Sequence, residues 1–262
     1  MLLIDKYAYM NRLKSVHPAE KMLLSIFLLF FTLAVKETIV SLIIFIVMSS
    51  LTIFAAKIPF RYYVKLLLLP VFFLISGTLT MLFSFAQREI PFAALIWRIE
   101  IGNWQIFISE SNADKIISLI FVVLASISCL YFLSLTTPIQ AILQVLRKLK
   151  VPSLLMELIE ITYRFIFVFI ESAHKIYLAQ QTRLGYHSIK QSLHSLGLLI
   201  SSIFAAVFQR AKDLTVAMNS RGYGDEILFL DDRYKYSLKN WGIITGIIAL
   251  IVIVYIQFGG LL

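Results

Sequence analysis

Four apolar runs, each long enough to cross a lipid bilayer, constrain the fold of this chain more than any other feature of its sequence. A membrane-spanning helix needs about 20 mostly apolar residues. Of the 262 residues, 60% are hydrophobic and 15% are charged, whereas soluble domains average about 45–50% and about 25%. A soluble core of this size cannot bury such an excess, so the sequence predicts an all-α polytopic membrane protein.

The runs predict about five membrane helices, within a range of about four to seven. Residues 22–56 are too many for one span, and only Lys36-Glu37 interrupts them, so we expect a helical hairpin that turns at this pair. The other three runs predict one span each, at 66–86, 116–135 and 241–260.

The distribution of Lys and Arg predicts the orientation of these spans. Residues 1–21 carry four of these cations and residues 57–65 carry three with no acid, whereas residues 87–114 hold two cations against four acids. Because loops rich in Lys and Arg normally face the cytoplasm, we expect a multi-pass protein of the plasma or inner membrane with a cytoplasmic N-terminus. The net charge of +9 then marks the cytoplasmic side and does not indicate a nucleic-acid partner.

The segment between the fourth and fifth spans is too long for a simple connection, so it must carry structure of its own. We therefore divide the chain into three parts. They are an N-terminal segment with membrane helices one to four (1–135), a cytoplasmic region (136–239) and a final membrane helix (240–262).

Three helices are predicted in the cytoplasmic region. An amphipathic helix begins at Thr137-Pro138, where Thr can cap the helix and Pro suits its first position. A second helix covers about 153–184 and a third covers about 189–221. Their centres, around 158–171 and 196–208, are apolar, and either could enter the membrane. We expect the two helices to pack on each other beneath the membrane, and the orientation is unchanged if both cross.

The second and third of these helices end in the same way. Arg183 stands in the last turn of one with Gly185 beyond it, and Arg221 stands in the last turn of the other with Gly222 beyond it. Glycine supplies the left-handed residue after a helix, and arginine complements the negative end of the helix dipole, so capping alone explains one such end. Two matched ends also display guanidinium groups that can pair bidentately with carboxylates of a partner.

The residue types needed for catalysis or metal binding do not form a recognisable set. The single Cys129 excludes a disulfide framework and a cysteine metal cage, and the chain lacks a Gly-x-x-x-x-Gly-Lys-Ser/Thr phosphate loop. His187 and His194 could share a helix face, but no carboxylate completes a ligand set and His174 lies on another helix. We therefore expect no catalytic, cofactor-binding or metal-binding residue, and a subunit that is not an enzyme.

Small polar residues take the place of charges inside the apolar runs. Apart from Lys36-Glu37 the runs contain no acid, base or histidine, which argues against a stand-alone secondary transporter. Small residues let helices approach closely, so we expect these runs to pack against other helices. They are Ser76, Gly77, Thr78 and Thr80 in one run and Ser118, Ser126, Ser128 and Ser134 in another.

Three segments resemble one protein family. Residues 217–223 resemble the second Ala-Arg-Gly-type signature of the transmembrane coupling component, called EcfT or CbiQ, of energy-coupling factor (ECF) transporters, and residues 179–186 resemble the first. Neither signature is literally Ala-Arg-Gly, since they read Thr182-Arg183-Leu184 and Ser220-Arg221-Gly222. The residues similar to the opening of CbiQ proteins of cobalt transporters are Asp5-Lys6-Tyr7-Ala8, Arg12-Leu13, His17-Pro18 and Lys21.

The resemblance implies an energy-coupling subunit. In this family each signature docks into a groove of one ABC ATPase subunit, and the helices that carry the signatures connect the ATPase dimer to a membrane-embedded substrate-binding S component. The partners implied are an ABC ATPase dimer that binds the ATP, a CbiM-like S component and a small CbiN-like subunit, with no cofactor in this chain. Cobalt is the expected cargo, and nickel or vitamins served by a shared module stay open. The docking residues implied are Arg183, Arg221, Thr182, Leu184, Ser220 and Gly222.

A membrane-bound enzyme acting on lipid-linked substrates is the alternative from another class. Asp225-Glu226 and Asp231-Asp232 could hold a metal such as magnesium at the cytoplasmic face. The apolar residues 228–230 separate the two pairs, and no basic phosphate clamp is spaced with them. We therefore expect these acids to solvate the loop before the last span.

Overall fold

The computed structural model describes residues 3–82, 84–86, 95–101, 104–222, 234 and 236–258. Six helices in this part of the chain are long and apolar enough to cross a membrane, which confirms the all-α polytopic membrane class. The helices and three short strands run in the order α1 (Leu3–Met10), α2 (Pro18–Val35), α3 (Thr38–Ser50), α4 (Phe60–Leu82), β1 (Ser84–Ala86), β2 (Leu95–Ile101), β3 (Trp104–Ser109), α5 (Glu110–Thr136), α6 (Ile139–Lys148), α7 (Ser153–Thr182), α8 (Ile189–Ser220) and α9 (Leu238–Phe258).

The chain divides into two compact units. One, called the membrane unit below, comprises Leu2–Ile142 and Arg233–Leu262. The other, called the hairpin unit, comprises Leu143–Asp232 and contains α7 and α8. The chain therefore leaves the membrane unit once, after Ile142, and returns to it once, at Arg233.

The predicted helical hairpin at Lys36-Glu37 is confirmed. α2 ends at Val35, Lys36 takes a left-handed conformation with φ of 54°, and α3 begins at Thr38. The N–H of Lys36 donates to the carbonyl of Thr32 at 3.1 Å, and the hydroxyl of Ser118 on α5 donates to the carbonyl of Lys36 at 2.7 Å. The turn is thus held both by its own helix and by the neighbouring one.

α2 begins four residues earlier than the apolar run predicted, at Pro18 and not at residue 22. The Nδ1 atom of His17 accepts a hydrogen bond from the N–H of Ala19 at 3.1 Å, and Pro18 stands at the first helical position. The two charged residues that follow, Glu20 and Lys21, are buried among polar partners. A charge that is satisfied inside the protein does not end a helix, which the count of apolar residues misses.

α4 also begins earlier than predicted and includes much of the expected loop 57–65. It starts at Phe60 and ends at Leu82, before the predicted limit of residue 86. The side chain of Tyr63 is buried, and its hydroxyl lies 2.8 Å from the hydroxyl of Ser49 on α3. Tyr63 therefore packs inside the membrane unit although its hydroxyl makes it appear polar in the sequence.

α5 lies at the centre of the membrane unit and packs against α2, α3 and α4. Cys129 is buried in this core as a small packing residue. The serines of α5 at 126 and 128 direct their hydroxyls to carbonyls of their own helix, so α5 can approach its neighbours closely. The buried members of the core are Leu24, Leu28, Val40, Ile44, Met48, Ala125, Cys129, Phe132, Ile244 and Ile251.

The small residues of α4 make little contact with the rest of the described chain. A side-chain carbon added at Gly77 would meet no atom within 4 Å, and Ser76 and Thr80 are exposed. The nearby Phe72 and Phe73 are 79% and 81% exposed. This part of α4 therefore faces away from the described helices, and the expectation that its small residues pack against other helices stays a prediction for helices outside this chain.

A small antiparallel sheet lies between α4 and α5, where a loop was expected. Its strand order is β1-β3-β2, with Ser84 opposite Phe107 and Ile101 opposite Trp104. A register shift occurs between Leu95 and Trp97. The connection from α4 to α5 is thus ordered in part by backbone pairing.

Candidate partner-docking site

The first arginine-bearing helix end has a fully paired C-terminal cap. Arg183 is the capping residue of α7, and Leu184 after it has a φ of 60°. The N–H of Leu184 donates to the carbonyl of Gln181 at 3.0 Å, and the N–H of Gly185 donates to the carbonyl of Gln180 at 2.9 Å. These two bonds are the pair that defines a Schellman cap.

The left-handed residue of this cap is Leu184, so the prediction that Gly185 supplies it is wrong. Gly185 is needed for close approach instead. A side-chain carbon at this position would lie 2.7 Å from the hydroxyl oxygen of Ser195 and 2.9 Å from the carbonyl oxygen of Gln180. A glycine one residue past the left-handed position thus lets α8 approach the end of α7.

Side-chain hydrogen bonds hold the turn between α7 and α8. The hydroxyl of Ser195 donates to the carbonyl of Gly185 at 2.8 Å, and the amide of Gln180 donates to the carbonyl of Ser195 at 3.0 Å. The hydroxyl of Tyr186 donates to the side-chain oxygen of Gln180 at 2.8 Å, and its ring lies 4.8 Å from that of Tyr177. Sequence reasoning missed these residues, which fix the backbone beside Arg183.

The second arginine-bearing helix end has almost the same backbone. Arg221 caps α8 with φ and ψ of −95° and 10°, against −92° and 14° at Arg183. Gly222 follows with a φ of 69°, which confirms the predicted left-handed glycine at this end. The N–H of Gly222 donates to the carbonyl of Asn219 at 3.1 Å.

The residue before each arginine has the same local role. The hydroxyl of Thr182 donates to the carbonyl of Ala179 at 2.9 Å, and the hydroxyl of Ser220 donates to the carbonyl of Val216 at 2.8 Å. Both hydroxyls thus bond to their own helix, and the arginine that follows each of them is the next polar side chain. Arg183 and Arg221 are exposed, and no ion pair joins either to an acid within the described part of the chain.

The two arginines lie at opposite ends of α8. Arg183 belongs to the turn that precedes this helix, and Arg221 follows its last residue. α8 has 32 residues, which corresponds to a length of about 48 Å. The two ends therefore cannot hold one small ligand between them, but they can contact two sites on a large partner.

α7 and α8 contact each other, and hydrogen bonds join them at their shared turn. Ser195 is the buried residue of α8, and it lies in the second turn of the helix. The two helices contact each other, as expected, while their position relative to the membrane stays a prediction. Large apolar side chains of α8 such as Ile200, Phe204 and Phe208 are exposed.

Ion pairs of α7 form both within the helix and with α6. Lys175 pairs with Glu171 at 2.7 Å, as the spacing predicts, and lowers the pKa of that carboxyl. Glu160 pairs with Arg147 of α6 at 2.9 Å and not with its neighbour on the same helix face, Arg164. The turn between α6 and α7, in which Lys150 has a φ of 60°, lies between Arg147 and Glu160.

The described histidines do not take part in a metal cluster. His174, His187 and His194 are exposed, and no cluster of three or more His, Cys, Asp or Glu suited to a metal occurs among the residues that the structure describes. The acidic pairs Asp225-Glu226 and Asp231-Asp232 lie outside the described residues.

Comparisons with known proteins agree on one family. A family model described as cobalt transport protein, CbiQ, matches residues 10–229. The chain is 27% identical over 248 residues to the cobalt transport protein CbiQ of Rhodobacter capsulatus, which covers 95% of each chain. It is 32% identical over 216 residues to the energy-coupling factor transporter transmembrane protein EcfT of Exiguobacterium sibiricum, covering 78% of this chain and 80% of that one. It is also 33% identical over 177 residues to a putative fused cobalt transport protein CbiMQ of Methanocorpusculum labreanum, covering 68% of this chain and 29% of that one.

Proposed function

Because this chain belongs to the CbiQ family of cobalt transport proteins, we propose that it is the energy-coupling transmembrane subunit of an ECF-type ABC importer. In this role it passes the nucleotide-driven motion of an ABC ATPase dimer to a substrate-binding S component in the membrane. The observation that carries the proposal is the pair of arginine caps with the same backbone geometry at the two ends of α8.

Each cap presents a guanidinium to one ATPase subunit. A guanidinium can form two parallel hydrogen bonds with a carboxylate, which fixes the direction of the contact as well as its strength. Two subunits of a dimer require two such contacts, and the length of α8, about 48 Å, separates Arg183 and Arg221 accordingly. Thr182, Leu184, Ser220 and Gly222 shape the backbone that presents them.

A displacement imposed by the ATPases at one cap reaches the rest of the hairpin unit, because α7 and α8 are long helices and hydrogen bonds fix the turn between them. The bonds among Gln180, Gly185 and Ser195 join the end of α7 to the start of α8. A displacement at Arg183 therefore moves both helices together. The exposed apolar side chains of α8, among them Phe204 and Phe208, offer a surface to the S component or to lipid.

The proposal requires Arg183 and Arg221 to lie on the same side of the membrane. The ATPase subunits are cytoplasmic in such an importer, so α8 does not cross the bilayer and the N-terminus faces the cytoplasm. The five membrane helices are then α2, α3, α4, α5 and α9.

Cobalt is the cargo that the matched names favour. The relative described as a fused CbiMQ protein supports a CbiM-like S component as the partner of this chain, and a small CbiN-like subunit is the third expected component. A shared subunit that serves nickel or vitamin S components is the alternative. In either case the partner ATPases bind and hydrolyse ATP, and this chain contributes no catalytic group.

Reversing the charge at the two caps tests the proposal. Losing one partner of an interface charge pair costs about 2–5 kcal/mol, which weakens binding roughly 30-fold or more. Arg221→Glu and Arg183→Glu should therefore reduce co-purification of the ATPase subunits, and the double variant should abolish it. Arg210→Glu is the matched control, since Arg210 is exposed on α8 away from both caps. Normal ATPase stoichiometry in the double variant would overturn the proposal.

A further inference from the structure

The N-terminal segment contains four buried polar residues that ATPase docking does not explain. They are Asn11, His17, Glu20 and Lys21, with exposed fractions of 9%, 2%, 0% and 4%. Burying such groups is costly unless each is paired. We call these four residues the N-terminal clamp, and their partners lie at the ends of two other helices of the membrane unit.

One side of the clamp holds the C-terminal end of α5. The ammonium group of Lys21 donates to the carbonyl of Thr136 at 2.8 Å and to that of Leu13 at 3.1 Å. The side-chain amide of Asn11 donates to the carbonyls of Thr136 at 3.2 Å and Leu135 at 3.4 Å. The last carbonyls of a helix lack partners within it, and a cation is favourable at this end of the helix dipole.

The other side of the clamp holds the N-terminal end of α9. One carboxylate oxygen of Glu20 accepts from the N–H of Ser237 at 3.3 Å, and the other accepts from the side-chain amide of Asn240 at 3.0 Å. An anion is favourable at this end of a helix, where N–H groups lack partners. The ring of His17 stacks on that of Tyr236 at 3.9 Å with 17° between the planes.

The two helix ends held by the clamp are the ones where the chain leaves and rejoins the membrane unit. Thr136 lies shortly before the hairpin unit begins at Leu143, and Ser237 lies shortly after it ends at Asp232. Two adjacent residues of α2 thus bind both connections. Lys21 binds the end of α5, where the chain leaves the membrane unit, and Glu20 binds the start of α9, where the chain returns to it. The hydroxyl of Tyr9 adds a contact to Gln140 at the start of α6, at 3.3 Å.

We infer that the N-terminal clamp positions both connections of the hairpin unit, so that motion of that unit moves α5 and α9 and is not absorbed by slack in the connections. The inference rests on the proposed coupling function. It assigns Glu20 and Lys21 as positioning residues that link ATP hydrolysis to transport, and not as ATPase-docking residues.

Exchanging donor and acceptor within the clamp separates positioning from folding. Asn240→Asp places a second carboxylate against Glu20, and like charges at this distance disfavour both ionised forms. Adding Glu20→Gln restores the hydrogen bond with its direction reversed, because the new amide at position 20 can donate to the new carboxylate at position 240. Gln257→Glu is the matched control, because it adds the same charge at the exposed far end of α9.

The experiment uses the whole complex, purified through the ATPase subunits and placed in phosphatidylglycerol and phosphatidylcholine vesicles. ATP hydrolysis and uptake of radioactive Co²⁺, with Ni²⁺ in parallel, give the amount of cargo carried per ATP. For Asn240→Asp we expect this ratio to fall about tenfold or more, the factor for losing a hydrogen bond to a charged group, while ATPase binding persists. Hydrogen exchange at the Ser237 N–H should accelerate in the same variant.

The outcomes separate the two proposals. Recovery of the ratio and of Ser237 protection in Glu20→Gln/Asn240→Asp, with no change in Gln257→Glu, supports the clamp. An unchanged ratio and an unchanged exchange rate in Asn240→Asp overturn the clamp. Failure of the unmodified chain to bind ATPase subunits, or to accumulate either ion, overturns the proposed function or its cargo instead.

Discussion

Two glycines beside the candidate docking arginines should respond to substitution for different reasons. Gly222 is left-handed with open space around it, so a side chain there meets a conformational cost and no clash. Gly185 carries no left-handed φ, but its added carbon would lie 2.7 Å from the Ser195 hydroxyl and 2.9 Å from the Gln180 carbonyl. We predict that Gly185→Ala and Gly222→Ala both destabilise the hairpin unit. Asparagine at each position, and a Ser195→Ala background, should distinguish the two causes.

The two losses should be similar in size. Overpacking of a close contact costs about 1–3 kcal/mol, and a left-handed conformation costs an ordinary residue about 1–2 kcal/mol. Asparagine tolerates the left-handed region, so Gly222→Asn should recover most of the loss at Gly222. Gly185→Asn should be worse than Gly185→Ala, because a larger side chain meets the same two atoms.

Thermal unfolding of the purified chain is the assay. A change of 1 kcal/mol shifts the midpoint of a protein of this size by about 2–4 °C. Introducing Ser195→Ala removes one of the two clashing atoms, so the penalty of Gly185→Ala should shrink in that background while that of Gly222→Ala stays the same. Equal tolerance of asparagine at both glycines would refute the close-approach argument.

Two further predictions concern topology and the corner between α6 and α7. Cysteines introduced at Thr182 and Ser220, in a Cys129→Ala background, should react with an impermeant maleimide from the same side of sealed vesicles, and labelling from opposite sides would show that α8 crosses. Arg147→Met leaves the partly buried Glu160 without this partner, which should cost about 1–2 kcal/mol, between the values for exposed and buried pairs. Thermal unfolding should show recovery when Glu160→Leu is added, and an equal loss in the double variant would contradict this account.

Helix ends set by local chemistry were predictable from the sequence. Pro152 precedes α7, and the hydroxyl of Ser188 accepts from the N–H of Gln191 at the start of α8. The start of α7 at Ser153 and that of α8 at Ile189 accordingly agree with the prediction. The turn at Lys36-Glu37 was equally readable, because two adjacent charges in an apolar run favour a break.

Features that depend on distant partners were not predictable in the same way. Glu20 and Lys21 appeared to precede the first span, yet their partners at Asn240 and Thr136 place them inside α2. Leu184 took the left-handed position because Gly185 was needed against Ser195, a contact that the local sequence does not contain. The alternation of apolar and polar residues in Leu95–Ile101 is itself a strand signal, within a segment whose charges and position between two spans predict a loop.

α8 shows why apolar length alone does not establish a membrane crossing. Its hydropathy is sufficient for a span, but His194 and Gln209 bound the apolar stretch. Residues 195–208 rise about 21 Å as a helix, which is short of a hydrocarbon core about 30 Å thick. Arg210, Lys212 and Asp213 follow that stretch directly on α8. If α8 were shifted to fill the full thickness of the hydrocarbon core, these three charged residues would have to enter it. Under the proposed function, this short apolar segment, on a helix with an arginine cap at each end, forms a surface that lies against a partner or the membrane interface.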